Sequence, residues 1–109
     1  MQVQKVVLMK FPKGLSSDEQ EQLLNLCRSL KAIPGVRAVT IGQDQGEGTR
    51  GFAYCFLVRF DSEEAYVAYE PHPAHLLLRD FVVKQEEHDV IGFNFPVLSG
   101  NEWLGVRSA

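Results

Sequence analysis

The chain has 109 residues, 45% hydrophobic and 23% charged, a composition typical of one folded domain that needs no cofactor to fold. Eleven Lys and Arg against fourteen Asp and Glu give a net charge of -3, which argues against binding DNA or RNA, because nucleic-acid binders usually present excess positive charge. The longest apolar run, residues 52–58, is far shorter than the ~20 residues of a membrane-spanning helix, so no membrane partner is expected. Cys27 and Cys55 show neither disulfide-framework nor metal spacing, which favours a reducing, cytoplasmic location.

The first part of the chain predicts a strand, a helix and a second strand. Residues 3–11 alternate with a period of two and are apolar on both faces, as in a strand that is buried on both sides. Ser16 and Glu19 have the spacing of a capping box, which starts a helix. This helix is expected to end near Ile33, because a Pro-Gly pair follows, and residues 36–41 predict the second strand.

In the rest of the chain, residues 42–51 predict a loop and residues 52–60 a strand. Two helices are predicted at 62–69 and 73–87, then a strand at 90–95 and a tail at 98–109. The strand at 52–60 is apolar on both faces and is expected to be central in its sheet. Pro71 separates the two helices, and Pro73 suits the first position of the second one.

This order of elements predicts an α+β fold, a ferredoxin-like split β-α-β subunit with a four-stranded antiparallel sheet and its helices on one face. Residues 1–97 would form the domain and residues 98–109 a C-terminal tail. Because strands 3–11 and 52–60 are apolar on both faces, the helix-free face would expose apolar side chains. The expected solution is a homodimer that packs two such faces together as a dimeric α+β barrel.

Residues 69–75, Tyr-Glu-Pro-His-Pro-Ala-His, concentrate one tyrosine and two histidines at the break between the two helices. A histidine beside a tyrosine can move protons, so His75 and Tyr69 are candidate catalytic residues at an apolar cavity. We expect them to lie within hydrogen-bond reach of each other, directly or through one water. A structural explanation stays open beside this one: His72 caps the second helix, and His75 is a buried, hydrogen-bonded core residue.

Several segments together resemble one known family. They are the opening strand at 6–11, Ile-Pro-Gly-Val at 33–36, the strand region 51–62, and the tyrosine and His-Pro-Ala-His of residues 69–75. The chain resembles the stress-responsive A/B barrel (Dabb) family of the dimeric α+β barrel superfamily over residues 3–96. The resemblance implies a homodimer with its sheets packed face to face and a small apolar cavity between sheet and helices.

Three functions remain open under this resemblance. The first is a homodimeric domain with a small hydrophobic-ligand pocket and a stress-related role, without confirmed catalysis. The second is a polyketide-cyclase-like enzyme, similar to olivetolic acid cyclase, in which His75 is the general base of an intramolecular aldol condensation and Tyr69 assists it. The third is a cofactor-free monooxygenase. Whether the protein is an enzyme is therefore not decided by the sequence.

The resemblance also implies further pocket residues, namely Lys5, Val7, Tyr54 and His72. Lys5 and Tyr54 stand where the family commonly has histidines, so the polar groups of the pocket would differ from those of the cyclase. This difference argues against the cyclase reaction more than against the pocket itself.

A cation site is implied as well, in which the main-chain carbonyls of Leu30, Ile33 and Val36 hold a structural magnesium or similar cation. Carbonyls at a helix C-terminus lack intrahelical partners and carry the negative end of the helix dipole, which permits such a site. An ordinary solvated turn explains the same residues without an ion.

Overall fold

A computed structural model describes residues 1–46 and 50–97, and the predicted tail at 98–109 lies outside these residues. The elements are β1 (Gln2–Lys10), α1 (Ser17–Ser29) with a single 3-10 turn (Leu30–Ala32), β2 (Val36–Gln43), β3 (Tyr54–Phe60), α2 (Glu63–Tyr69), α3 (Pro73–Val83) and β4 (Asp89–Val97). Their order is the predicted one. The last helix is shorter than expected, since it ends at Val83 rather than near residue 87.

The strands form one antiparallel sheet in the order β2-β3-β1-β4. β1 pairs with β3 along one edge and with β4 along the other, and β3 also pairs with β2. The α+β, ferredoxin-like arrangement with a four-stranded antiparallel sheet and a central third strand is therefore confirmed. Within the described ranges, no helix has the length and apolar character that crossing a membrane requires.

Local chemistry explains where α1 begins and where the following turn ends. The Ser16 hydroxyl accepts the Glu19 N–H at 3.1 Å, and the Glu19 carboxylate accepts the Ser16 N–H at 2.8 Å, which is the predicted capping box. After the 3-10 turn, Gly35 has a φ of +87°, a conformation that favours glycine. A Cβ at Gly35 would also collide with the side chain of Ala65, so this glycine lets α2 approach the turn.

The hydrophobic core lies between the helices and one face of the sheet. Its most deeply buried side chains come from β1, β3, α1, the 3-10 turn and α2: Met9, Val58, Phe60, Leu23, Cys27, Leu30 and Tyr69. Burial raises the pKa of Cys27 to about 12, so its thiol stays protonated at neutral pH and acts as a small apolar side chain.

The opposite face of the sheet carries a second set of apolar side chains, because neighbouring residues of a strand point to opposite faces. The strand register aligns them in two adjacent rows, Leu57 with Val6 and Phe93, and Cys55 with Leu8 and Ile91. On this single chain Ile91 is 48% exposed and Phe93 is 62% exposed. We call these six residues the outer apolar face.

Candidate functional site

A cavity of about 540 Å³ lies between α3 and the strands β1 and β4, on the helix-covered side of the sheet. Most of its walls are apolar side chains: Val7, Met9, Phe56, Leu78, Val82, Val83 and Val90. Its polar lining consists of Lys5, Glu70, His75, Arg79, His88 and Asp89. Apolar walls with a few polar groups are the usual composition of a small-molecule site.

The start of α3 uses the side chain of His72. Its Nδ1 accepts the Ala74 N–H at 3.1 Å, and Pro73 occupies the first helical position, where no N–H is needed. The structural role considered for His72 is thus the one observed. His72 is not among the residues that line the cavity, contrary to the pocket expectation, because its ring is turned toward the helix terminus.

His75 lies in the first turn of α3 and lines the cavity. Its Nδ1 is 2.8 Å from the main-chain oxygen of Glu70. Because a carbonyl oxygen only accepts, Nδ1 carries the proton in the neutral ring, and the lone pair is on Nε2. Within residues 1–46 and 50–97 this Nε2 has no hydrogen-bond partner, so it can accept a hydrogen bond from a ligand or take a proton.

Tyr69 contacts His75 through the rings rather than through its hydroxyl. The ring centroids are 4.5 Å apart with an interplanar angle of 36°, and Phe60 supports Tyr69 from an edge contact at 4.9 Å. The Tyr69 hydroxyl is buried without a hydrogen-bond partner among the described residues, so it makes no direct hydrogen bond to His75. Burial raises the pKa of Tyr69, and Glu70 raises it further, which keeps the phenol protonated at neutral pH.

Glu70 lies between two of the basic groups of the cavity, Lys5 and His75. One carboxylate oxygen is 3.9 Å from Lys5 Nζ, and the other is 4.0 Å from His75 Nδ1. Burial lowers the pKa of Lys5, and the charge of Glu70 opposes this effect. Glu70 is not among the predicted site residues, although it lies within the segment 69–75 that contains both Tyr69 and His75.

Three further polar lining residues were also missed, Arg79, His88 and Asp89. The signal for Arg79 was available, because it lies four residues after His75 and therefore on the same side of α3. His88 lies in the turn before β4, where periodicity gives no direction for its side chain.

Lys5 and Val7, two of the predicted pocket residues, both line the cavity. Tyr54 does not. It lies at the first position of β3, makes an edge contact with Phe11 at 5.8 Å, and lines a separate depression of about 520 Å³ beside α1. The structure thus brings Lys5, Val7 and His75 together and leaves Tyr54 apart from them.

The predicted cation site consists only of main-chain carbonyls. The Leu30 oxygen accepts the Ile33 N–H, and the Ile33 oxygen accepts the Val36 N–H, each at 3.1 Å. Among the residues that the structure describes, no cluster of three or more His, Cys, Asp or Glu side chains could hold a metal ion. Magnesium in proteins is usually held by carboxylates and water, whereas this set offers only main-chain carbonyls, and a cation held there stays a prediction.

Comparison with protein families matches residues 3–96 to the stress responsive A/B barrel domain, called Dabb. The chain belongs to the Dabb family. A comparison of this Dabb protein with curated proteins finds no match.

Solved structures with the same fold come from plants and bacteria. The Dabb chain is 28% identical to a hypothetical protein from Arabidopsis thaliana, over 89% of this chain and 90% of that one, with a TM-score of 0.67. A dimeric ferredoxin-like protein of unknown function from Thermobifida fusca is 21% identical, over 87% and 92% of the two chains, with a TM-score of 0.71. A hydroxynitrile lyase from Passiflora edulis is 20% identical, over 87% and 94%, with a TM-score of 0.70. At these lower identities the last two comparisons show the shared fold alone.

The unpartnered Tyr69 hydroxyl gives a stability prediction. We expect Tyr69→Phe to leave the free energy of unfolding unchanged or to raise it by up to about 1 kcal/mol, because it removes a buried polar atom that has no hydrogen bond. The matched variant Tyr66→Phe should lower this free energy by about 1 kcal/mol, because the Tyr66 hydroxyl accepts a hydrogen bond from Asn94 at 2.9 Å. Urea unfolding of both variants measures the difference. If Tyr69→Phe lowers the free energy of unfolding more than Tyr66→Phe does, the Tyr69 hydroxyl must have a hydrogen-bond partner after all.

Proposed function

We propose that this Dabb protein is a homodimer that binds a small, largely apolar molecule in the cavity beside α3. The observation that carries ligand binding is the cavity of about 540 Å³, in which apolar walls surround a few polar groups. His75 supplies the polar contact, since its Nε2 has no hydrogen-bond partner among the described residues. The stress-related role that the family name suggests belongs to the same proposal.

The outer apolar face supports the homodimer. Its residues belong to three neighbouring strands and form a continuous apolar surface, of a kind that marks an interaction site on a soluble protein. The similar protein from Thermobifida fusca is described as dimeric. The cavity lies on the other side of the sheet, so a dimer through this face leaves the cavity accessible within each subunit.

Light scattering after size-exclusion chromatography tests the dimer. We expect a mass of about twice 12.3 kDa, and we expect Phe93→Glu to shift the protein toward the monomer, because it places a charge in the apolar interface. Val67→Glu is the matched control, since Val67 is 61% exposed and Phe93 is 62% exposed, but Val67 lies on α2 and not on the outer apolar face. A monomeric parent protein at micromolar concentration, or a dimer that tolerates Phe93→Glu, would refute this interface.

Filling the cavity tests ligand binding. A Cβ added at Gly92 would meet no atom within 4 Å, so a larger side chain can enter the cavity there without distorting the strand. We expect the neutral probe 4-phenylbutanamide to bind the parent protein and Gly92→Ala alike, and Gly92→Leu to weaken it at least tenfold, roughly 1.4 kcal/mol. Backbone amide shifts in NMR titrations give both the affinity and the location. Equal binding by Gly92→Leu, or shifts away from β4 and α3, would place the ligand elsewhere.

A second candidate function is favoured by the proton position on His75. With Nδ1 donating to the Glu70 oxygen, Nε2 is the basic nitrogen, as required of a general base that removes a proton next to a ketone carbonyl. In an intramolecular aldol step the resulting enolate carbon would form a bond to a second carbonyl carbon, and the alkoxide would receive the proton from His75. The ring contact with Tyr69 would orient the imidazole in this reaction.

Hydrogen exchange measures this chemistry without knowledge of the natural substrate. We expect the protein to accelerate deuterium incorporation next to the carbonyl of 4-phenyl-2-butanone in D₂O, and His75→Gln to reduce the accelerated rate by about 100-fold or more. His88→Gln is the control, because this second histidine also lines the cavity but is exposed at its rim. Exchange at the buffer rate, or an equal loss in both variants, would exclude His75 as a general base for this ketone.

A further inference from the structure

Lys5 interrupts an otherwise apolar row of side chains on the helix-covered face of β1. Its neighbours in that row, Val3 and Val7, are 8% and 4% exposed, and the Lys5 side chain itself is only 12% exposed. Nζ carries three N–H donors, and none of them makes a hydrogen bond with the residues that the structure describes. The stem of Lys5 is buried, whereas Nζ itself is not fully buried, so its donors are open to an acceptor in the cavity that Lys5 lines.

The neighbours of Lys5 compensate its charge only in part. The nearest carboxylate oxygen, from Glu70, is 3.9 Å away, which is too long for a hydrogen bond, and the Tyr66 ring centroid is 5.6 Å away. The Glu70 side chain is 46% exposed, so water screens much of its charge. The same carboxylate also lies 4.0 Å from His75 Nδ1. Space for a second acceptor therefore remains on the cavity side of Lys5.

The charges of the cavity are arranged by depth. Arg79, His88 and Asp89 lie at the exposed rim, whereas Lys5 is mostly buried. The positive charge at the inner end of the cavity therefore comes from Lys5, with the half-exposed Glu70 carboxylate 3.9 Å away, and the apolar walls extend from there toward the rim. A ligand that matches this pattern is apolar along most of its length and carries one negative charge at one end.

We propose that the cavity selects apolar molecules with a carboxylate, which binds against Lys5 Nζ while the apolar part lies along the walls of β1 and α3. This inference rests on the proposed function, because it requires that the cavity binds a ligand. A carboxylate accepts charge-assisted hydrogen bonds, which are roughly twice as strong as those between neutral groups. A dianion such as a phosphate monoester fits less well, because one ammonium group would face two negative charges with Glu70 adjacent.

Three probes of nearly equal shape test the charge preference: 4-phenylbutyrate, 4-phenylbutanamide and 4-phenylbutylammonium. We expect calorimetric titration to give at least tenfold tighter binding of the carboxylate than of the amide, and the weakest binding for the ammonium. Lys5→Met should bring the affinities for carboxylate and amide within about twofold, since methionine keeps the shape of the stem and removes the charge. Lys5→Arg should retain the preference for the carboxylate.

Two further variants make the experiment independent of how well Lys5→Met folds. Lys13→Met is the control lysine variant, since Lys13 is exposed, pairs with Glu86 and does not line the cavity, and it should keep the full preference. Glu70→Gln should bind 4-phenylbutyrate more tightly than the parent protein does, because the substitution removes a negative charge close to the bound carboxylate. The affinity for 4-phenylbutanamide should be the same in this variant and in the parent protein.

The outcomes separate this inference from the proposed function. If the amide and the carboxylate bind equally well to the parent protein, or if Lys5→Met keeps the preference, the carboxylate assignment is overturned while ligand binding stands. An unchanged carboxylate affinity in Glu70→Gln would also count against it. If none of the three probes binds, both the ligand pocket and its charge selectivity are refuted.

Discussion

β1 is hydrogen-bonded along both of its edges, to β3 on one side and to β4 on the other. This double pairing decides which side of the sheet each side chain of β1 occupies. Successive residues alternate between faces, so Lys5 joins the row under the helices and Val6 joins the outer apolar face. A shift of the strand by one residue would exchange the two rows. The core, the cavity and the predicted dimer interface therefore all depend on one register.

The two histidines at the break between α2 and α3, His72 and His75, have different roles. His72 Nδ1 accepts the Ala74 N–H and so caps α3, which fixes the ring at the helix terminus. His75, three residues later, uses Nδ1 to donate to the Glu70 oxygen and keeps Nε2 for other contacts. The Tyr69 ring then supports the imidazole from the core side. Local backbone geometry thus selects which imidazole nitrogen can meet a ligand.

Two polar groups near the cavity lack a hydrogen-bond partner among the described residues. Lys5 is mostly buried without a hydrogen bond to the described residues, and the Tyr69 hydroxyl is buried without a partner among them. One lines the cavity and the other contacts His75, which lines it. Folded proteins usually avoid such arrangements except where a site requires them. Their common location agrees with a functional role for this part of the fold.

The sequence by itself determined the order of elements, the capping box of Ser16, the helix start at His72 and the two apolar faces of the sheet, because capping, proline and alternation are local signals. Only the tertiary structure decided which side chains share a space. Tyr54 stands on the same face as Phe56, yet two residues along a strand displace a side chain by about 7 Å, which places the pair in different depressions. The pairing of Lys5 with Glu70 likewise depends on strand order and helix packing, which join residues far apart in the chain and leave no periodic signal in it.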